Sequence, residues 1–287
     1  MGKREDIKKT YKLYIGGKFP RTESGRYIKW TDPKNSTYVN VCRGSRKDFR
    51  NSVVAARNAF TDWSSRTAYN RSQILYRIGE MLEGKRSQFM DELMLQGASK
   101  NAAENEINRA IDRLIYYAGW ADKYQQLFSR VNPVAAPYFN FTYTEPTGVV
   151  AAIAPDDSSL VGLVSIMAPI IAGGNTVVLL ASELKPLCSI SFAEVLHTSD
   201  VPAGVVNILT GYRDELIEHF STHMDVNSIV YCGNDPDDIK TIQENAALNV
   251  KRPVVYADED WMDQKNQGPY HILNNLESKT TWHPIGL

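Results

Sequence analysis

The first half of the chain carries apolar side chains at helical spacing. A capping-box pair, Ser45 and Asp48, precedes the first such run, and this pair is typical of a helix start. The apolar positions that follow are Phe49, Val53, Ala56, Phe60 and Trp63. Two further runs predict a helix over 74–82 and a longer one over 107–118 that continues to about Phe128.

The second half alternates short apolar runs with longer stretches. Residues 11–19 predict a hairpin that turns on Gly16 and Gly17, and the aromatic segment 138–144 predicts a strand or long ribbon. After Thr147, strands are predicted over 149–153, 176–180, 205–209, 228–231 and 253–256, with helices around 160–171, 189–197, 214–219 and 237–248. This alternation is typical of an α/β fold with a Rossmann-like, doubly wound parallel sheet. The first half would form an N-terminal helical layer on it.

Composition narrows the possible partners. The chain has 287 residues and a formal net charge of −1, with its basic residues scattered, so we expect no nucleic-acid partner. The apolar run 160–171 is interrupted by Gly162, Ser165 and Pro169 and is shorter than the roughly 20 residues of a membrane helix. We therefore expect no membrane span. The charged start, 1–6, is not a secretory signal, and a cytoplasmic location is expected.

Metal and disulfide chemistry find little support in the residue pattern. Cys42, Cys188 and Cys232 are isolated from one another, which argues against a disulfide framework or a structural zinc site. His219 and His223 have the spacing of two ligands on one helix face. Because no third ligand stands at a useful spacing, we interpret them as surface histidines and expect no metal.

Two short motifs have a functional and a structural interpretation. Gly173 and Gly174 precede a predicted strand and could form a phosphate loop, but they match no nucleotide fingerprint, and we favour a helix C-cap. Asp156 and Asp157 follow a predicted strand and could serve as acid and base or bind magnesium. The alternative, which we favour, is that Asp157 or Ser158 caps the next helix.

Segments along most of the chain resemble the aldehyde dehydrogenase superfamily. The stretch 145–155 resembles the strand that enters the family's nucleotide site. Further similar pieces are 14–17, 55–60, 71–78, 168–178 and 201–209, in order between about 11 and 256. The resemblance implies an aldehyde dehydrogenase-like nucleotide-binding domain over 1–131 and 145–260. It also implies a projecting oligomerisation β-ribbon over 132–144 and 270–287, since 276–286 resembles the family's C-terminal strand.

The catalytic positions implied by the resemblance are degenerate. Active relatives continue after Pro155 with Trp and then an Asn whose amide stabilises the oxyanion, where this chain has Asp156 and Asp157. A carboxylate would repel that oxyanion. The family's general-base glutamate aligns with Ala247, and its Gly-Gly-Lys motif aligns with 249–251. No catalytic residue is therefore expected.

The implied cofactor positions are degenerate as well. A ribose-binding lysine of the family aligns with Leu180, two glycines near the adenine align with Arg213 and Ile217, and a Gly-Ser pair aligns with Gly233 and Asn234. The implied cofactor site comprises Ile153, Ala154, Pro155, Leu180, Glu183, Gly211, Ile217, Gly233 and Asn234. We expect no cofactor, or NAD or NADP bound only weakly.

The family's nucleophilic cysteine has no counterpart here. In relatives a catalytic domain that bears it follows the segment matched by 253–260, whereas residues 261–287 contain no cysteine. Cys232 aligns with a family threonine, and we interpret it as a small buried residue. The pattern resembles a natural internal deletion that keeps the nucleotide domain and the interaction strand.

Three functions follow from this resemblance. The first is a catalytically inactive interaction or structural subunit, which forms a homo-oligomer, as a dimer, and in the cell joins a full-length aldehyde dehydrogenase. Its contact surface would be the ribbon, in which 138–144 pairs with the strand around 280–282. The second is an NAD(P)-dependent aldehyde oxidoreductase, which either forms a composite site with a full-length partner or works by another chemistry that uses Asp156 and Asp157. The third is a nucleotide-binding sensor.

Overall fold

The computed structural model describes residues 9–32 and 38–286, and the charged start at 1–6 lies outside them. The described part opens with a small sheet of order β1-β3-β2, formed by β1 (Thr10–Tyr11), β2 (Tyr27–Thr31) and β3 (Tyr38–Cys42). Between β1 and β2, Ile15 pairs with Lys18 across a turn in which Gly16 and Gly17 have φ of 57° and 73°. These left-handed angles favour glycine, and the hairpin prediction is confirmed.

A helical layer follows this sheet. Its members are α1 (Arg46–Ser65), α2 (Ala68–Gly84), α3 (Arg86–Leu95), α4 (Lys100–Trp120) and α5 (Tyr124–Phe128). The capping box of α1 is formed as predicted, with Ser45 Oγ accepting from the Asp48 N–H and the Asp48 carboxylate accepting from the Ser45 N–H. The sequence assigned no element to β2, β3 or α3.

The expectation of one continuous helix to Phe128 is wrong. The chain turns between Trp120 and Tyr124, where the Lys123 N–H bonds to the Trp120 carbonyl. The turn redirects the chain so that Tyr124, only 1 % exposed, is buried beside Arg71 of α2. Burial of this large side chain therefore outweighs the local helical pattern.

A five-stranded parallel sheet forms the centre of the described structure. Its strands and intervening helices are β6 (Val149–Ile153), α6 (Val161–Ala172), β7 (Thr176–Leu180), α7 (Leu187–His197), β8 (Val206–Leu209), α8 (Arg213–Thr222), β9 (Ser228–Tyr231), α9 (Pro236–Ala246) and β10 (Arg252–Val255). The strand order is β10-β9-β6-β7-β8. One core packs α1, α8 and α9 on one face of the sheet, and a second packs α6 and α7 on the other. The predicted doubly wound α/β fold is confirmed.

The apolar run at 160–171 forms α6. Every residue of this helix is buried, and Gly173 is its C-cap, as favoured from the sequence. Within the described ranges, no helix is both long and apolar enough to cross a membrane. The apolar composition of α6 follows from its place between the sheet and the helices α2 and α4.

A three-stranded ribbon projects from this body. It is made of β4 (Arg130–Asn132), β5 (Tyr138–Pro146) and β11 (Leu276–Pro284), in the order β11-β5-β4. Thr280 stands opposite Thr142 and Trp282 opposite Asn140, so the predicted pairing of these two segments is confirmed. Along β5, polar side chains are buried on one face, while the rings of Phe139, Phe141 and Tyr143 follow one another on the other face.

The segment between the central sheet and the ribbon packs on the helical layer. It includes α10 (Tyr270–Leu273), whose Ile272 is fully buried. The fully buried guanidinium of Arg113 in α4 donates to the carbonyls of Trp261 at 3.1 Å and Asp263 at 2.7 Å. Trp261 itself is 3 % exposed. The Arg113 contacts hold the segment that leads from β10 to β11 against α4.

Candidate functional site

The loops that follow the five parallel strands meet at one edge of the sheet, where ligands of open α/β sheets bind. A cleft of about 660 Å³ opens there between the loop after β6, the loop after β9 and the segment after β10. Four residues expected at the site line it: Pro155, Asp157, Gly233 and Asn234. The structure thus brings these positions together.

Arg213, the first residue of α8, also lines this cleft. Its Nη2 donates to the Asp156 carboxylate, and its Nη1 donates to the phenol oxygen of Tyr231 at 3.2 Å. The Tyr231 hydroxyl donates in turn to Asp238 Oδ2 at 2.8 Å. Burial raises the pKa of Tyr231 to about 12, so this phenol keeps its proton at neutral pH. An ion pair of the chain itself therefore lies in the lining of the cleft.

Carboxylates of the chain occupy the starts of three helices at this edge. Glu183 Oε2 accepts from the Arg213 N–H at 2.9 Å, at the start of α8. Asp235 Oδ1 accepts from the Asp237 N–H at 2.9 Å, at the start of α9. Glu106 Oε1, from α4, accepts from the Leu160 N–H at 2.8 Å, at the start of α6. Helix N-termini attract phosphate groups, and these three already hold an anion.

The lining of the cleft is acidic. Among the described residues it includes the carboxylates of Asp156, Asp157, Asp235, Asp258, Glu259 and Asp260. The guanidinium of Arg213 lies among them and already bonds to Asp156. The pyrophosphate of a dinucleotide is negative and would be opposed by this like charge.

Several of the expected cofactor positions lie below the cleft surface. Ile153, Leu180 and Ile217 are at most 7 % exposed and belong to one apolar core cluster. Ala154 is 5 % exposed in the other cluster. These side chains pack the interior.

The two glycines among the expected positions are both close to neighbouring atoms. A Cβ on Gly211 would lie 3.3 Å from the Gly44 nitrogen, and one on Gly233 would lie 2.6 Å from the Tyr231 hydroxyl. A larger side chain at Gly233 would therefore disturb the Tyr231 network, and one at Gly211 would press on Leu216 and the Gly44 backbone.

Ala247 lies away from the rest of the expected site. It follows α9 in a short 3₁₀ turn that precedes β10, so it is near the start of that strand. The cleft is at the opposite edge, where Tyr256 follows β10 and lines the cleft. The alignment of 249–251 with a Gly-Gly-Lys motif does not bring Ala247 to Asp157, because the chain passes directly from α9 into the fifth strand.

The start of α6 decides between the two interpretations of Asp156 and Asp157. Ser158 Oγ accepts from the Gly162 N–H at 2.8 Å, and Glu106 binds the preceding N–H groups. The cap is therefore formed by Ser158, one of the two candidates favoured from the sequence, together with Glu106. Asp156 bonds to Arg213 and to the Glu183 N–H. Within the described residues, no group of three or more His, Cys, Asp or Glu side chains could hold a metal ion.

The thiols are poor candidates for a nucleophile. Cys42, Cys188 and Cys232 are free and buried. Burial raises the pKa of each thiol, and the thiolate is the reactive form. Cys232 lines the cleft but is 6 % exposed, in agreement with its interpretation as a small buried residue.

Sequence reasoning missed several residues of the site, among them Glu106, Asp238 and Tyr256. Glu106 lies on α4, far along the chain from the helix that it caps, and Asp238 meets Arg213 only through the packing of α9. Tyr256 is the last residue of the predicted strand 253–256 and directly follows the observed β10, so its position at the carboxyl end was the one available signal.

Comparison with known proteins places the chain among related sequences. A profile of the aldehyde dehydrogenase family matches residues 19–256. The putative aldehyde dehydrogenase DhaS of Bacillus subtilis (strain 168) is 32% identical over 248 residues, which cover 85% of this chain and 49% of that protein. Human aldehyde dehydrogenase 1A1 is 32% identical over 257 residues, covering 86% and 50%.

Solved structures agree with this match. An aldehyde dehydrogenase from Bacillus cereus in its NAD+ complex has a TM-score of 0.81 at 27% identity, covering 86% of this chain and 50% of that one. PnpE from a Pseudomonas species, solved with nicotinamide adenine dinucleotide, has a TM-score of 0.82 at 28% identity, covering 87% and 51%. The chain spans about half the length of the relatives that it matches.

Proposed function

The chain belongs to the aldehyde dehydrogenase family, and from that premise we propose that it is a catalytically silent member that serves as an interaction or structural subunit. In this proposal the nucleotide domain keeps its fold but binds NAD or NADP weakly at most. The ribbon formed by β4, β5 and β11 supplies the contact with a partner, either another copy or a full-length aldehyde dehydrogenase. The three free cysteines suit the reducing cytoplasm that we propose as its location.

The ion pair between Arg213 and Asp156 is the observation that carries this proposal. The relatives solved with NAD share the fold of this domain. In this chain a guanidinium bonded to a carboxylate lies in the cleft that is lined by positions of the implied cofactor site. A dinucleotide would have to displace this pair. It would also have to compete with Glu183 and Asp235, which occupy the starts of α8 and α9.

The catalytic groups support the same proposal. Asp157 replaces the amide that the resemblance implies, and the described thiols are buried with raised pKa values. A nucleophile, a base and an oxyanion donor act as a unit, so losing any one removes most of the rate. We therefore expect no aldehyde oxidation by this chain alone.

Calorimetric titration with NAD and NADP tests the nucleotide part. We expect no saturable binding of either nucleotide in the micromolar range. The double variant Arg213→Gly/Asp156→Asn removes the ion pair, and we expect it to bind NAD at least about tenfold more tightly, a change of about 1.4 kcal/mol. Arg43→Gly is the matched control, because Arg43 pairs with Glu215 of α8 and lies outside the cleft lining. Micromolar NAD binding by the unchanged chain would overturn the proposal.

Nucleotide reduction with short and aromatic aldehydes tests the catalytic part. The expected result is no turnover above background. Turnover that persists after repurification and is lost in Asp157→Ala would favour the oxidoreductase alternative. Activity that appears only on mixing with a full-length aldehyde dehydrogenase, beyond the activity of that enzyme alone, would favour the composite site.

A further inference from the structure

The outer edge of β11 directs backbone groups away from the ribbon. The ladder between β11 and β5 is bounded by two hydrogen bonds, from the Ile285 N–H to the Pro137 carbonyl and from the Thr147 N–H to the Asn275 carbonyl. In an antiparallel pair, only every second residue bonds to the neighbouring strand. The odd-numbered residues of β11 therefore bond to β5, and the N–H and C=O groups of the even-numbered residues face outward.

This edge is long and exposed. Among the described strands β11 is one of the two edge strands of its sheet and is much longer than the other, β4, and most of its residues from Ser278 to Pro284 are exposed. Outward-facing N–H and C=O groups on such an edge are a template for another strand. Two even-numbered positions differ from the others: Pro284 has no N–H, and the Leu276 carbonyl already accepts from Arg252 Nη1.

We propose that β11 pairs antiparallel with β11 of a second copy of this chain, with Thr280 facing Thr280 of the copy on a two-fold axis. This inference rests on the proposed role of the ribbon as a contact surface and commits it to one edge, one partner and one register. The two ribbons then form a continuous six-stranded sheet. Closed two-fold pairing of this kind also covers the exposed edge.

The register follows from the groups that cannot bond. With Thr280 on the axis, Leu276 faces Pro284 of the copy. Pro284 has no N–H to donate, and the Leu276 carbonyl opposite it needs no donor because it already accepts from Arg252. The pairs of Ser278 with Trp282 and of Thr280 with Thr280 keep all their outward groups, giving about six hydrogen bonds at two for each bonded pair. No outward group is lost at either end.

Repulsion between like charges favours the same register. The proposed register places Glu277, which already pairs with Arg252, opposite His283 of the copy, and it places Lys279 opposite Thr281. A shift that pairs Ser278 with Thr280 would instead place Lys279 opposite Lys279, and like charges directly opposite each other are unfavourable. The opposite shift would place Pro284 against Ser278 and lose a hydrogen bond. The net charge of −1 for the whole chain opposes association only weakly.

Substitution at Ser278 tests the edge. In Ser278→Pro the outward N–H is lost while β5 keeps its bonds, since proline is tolerated on strand edges; Ser278→Ala keeps the N–H and is the matched control. By sedimentation equilibrium we expect the unchanged chain and the Ser278→Ala variant to be dimers at tens of micromolar. We expect Ser278→Pro to weaken the dimer at least tenfold with an unchanged circular dichroism spectrum. A monomeric unchanged chain, or a dimer as tight with proline as with alanine, would overturn the proposal.

Cysteine cross-linking tests the register and does not depend on the proline variant. Bonded residues on the axis have Cα atoms about 5.5 Å apart, within disulfide range, so Thr280→Cys should form a covalent dimer on mild oxidation. In Thr281→Cys each cysteine faces residue 279 of the copy, so the Cα atoms of the two cysteines are diagonal neighbours about 8 Å apart. This variant should not cross-link. The reverse outcome would refute the register. The NAD titration can be repeated on the Ser278→Pro variant. A wrong prediction about the dimer and a wrong prediction about NAD binding would therefore be seen in separate measurements.

Discussion

Arg213 and Asp156 form an ion pair that joins the start of α8 to the loop after β6. The two side chains are 24% and 25% exposed, and the same carboxylate accepts from the Glu183 N–H at 2.8 Å. Three of the loops at the carboxyl edge of the sheet are therefore held by one pair of charges. In the proposed function, the same pair excludes a dinucleotide from the cleft.

Removing the guanidinium should destabilise the fold. In Arg213→Ala, Asp156 and Asp238 lose a cationic partner in a half-buried site, and we expect the free energy of unfolding to fall by about 1–3 kcal/mol. Urea denaturation measures this change. Arg43→Ala is the control, because its pair with Glu215 is more exposed, and a smaller loss is expected. Equal losses in the two variants would contradict the structural role of Arg213.

The carboxylate of Glu106 should stabilise α6. It accepts from the N–H groups of Ser159, Leu160 and Val161, and the loss of a helix cap costs about 1–2 kcal/mol. We expect a loss of this size for Glu106→Ala in thermal or urea unfolding. Glu104→Ala, an exposed position on the same helix, should change little. A Glu106→Ala protein as stable as Glu104→Ala would show that water replaces the cap.

Acid should weaken the fold through His271. Burial lowers the pKa of this histidine from 6.5 to about 4, with the nearby Arg113 adding to the shift. Between these pH values the unfolded chain binds more protons than the native one, so stability falls as the pH is lowered through this window. At about 1.4 kcal/mol per pKa unit, the loss reaches roughly 3 kcal/mol.

The variant His271→Phe isolates this contribution. It keeps a ring against Tyr256, which packs on His271 at 5.0 Å between ring centroids, but it cannot be protonated. Urea denaturation at a series of pH values should therefore give a flatter dependence between pH 6.5 and 4 for the variant than for the unchanged chain. Parallel curves would mean that other groups account for the acid sensitivity.

Val250 should be replaceable with a gain in stability. Its φ is 55°, and its side chain is 93% exposed. A left-handed backbone is strained for a β-branched residue, and the exposed side chain makes little contact that could offset this strain. We expect Val250→Gly to raise the free energy of unfolding by about 1 kcal/mol. Asp200→Gly is the comparison, since Asp200 has φ of 60° and aspartate adopts this region more readily. An equal or smaller gain at 250 would contradict the strain argument.

The three thiols should be unreactive in the native state. Cys42, Cys188 and Cys232 are buried with raised pKa values, so Ellman's reagent should label none of them within minutes at pH 7.5. All three should react once the chain is unfolded in guanidinium chloride, which controls for prior oxidation. A rapidly reacting thiol in the folded protein, located by mass spectrometry, would identify a nucleophile and reopen the oxidoreductase alternative.

Local patterns in the sequence predicted most of the secondary structure. The capping box at Ser45 and the apolar period after it mark α1, and the short apolar runs after Thr147 mark the parallel strands within one or two residues. Such signals survive in a single sequence because they arise from residues a few positions apart on the same face. The pairing of β5 with β11 was also predicted, through a resemblance of its two segments to a known family.

The contacts that form the site depend on long-range packing. Two of these contacts join residues that are distant in sequence: the cap of α6 by Glu106 and the ion pair of Arg213 with Asp156. The turn before Tyr124 is local, but it is set by the burial of that side chain. What folding added for Ala247 is its distance from the cleft, because the cleft lies at the opposite edge of the sheet from the start of β10. The local pattern indicated most helices and strands because such signals depend on neighbouring residues, but it did not reveal β2, β3, α3 or the break before α5. The partners in each ion pair could be identified only from the folded structure. Packing selects the partner of a buried or half-buried charge, and this choice produces no repeating pattern along the sequence.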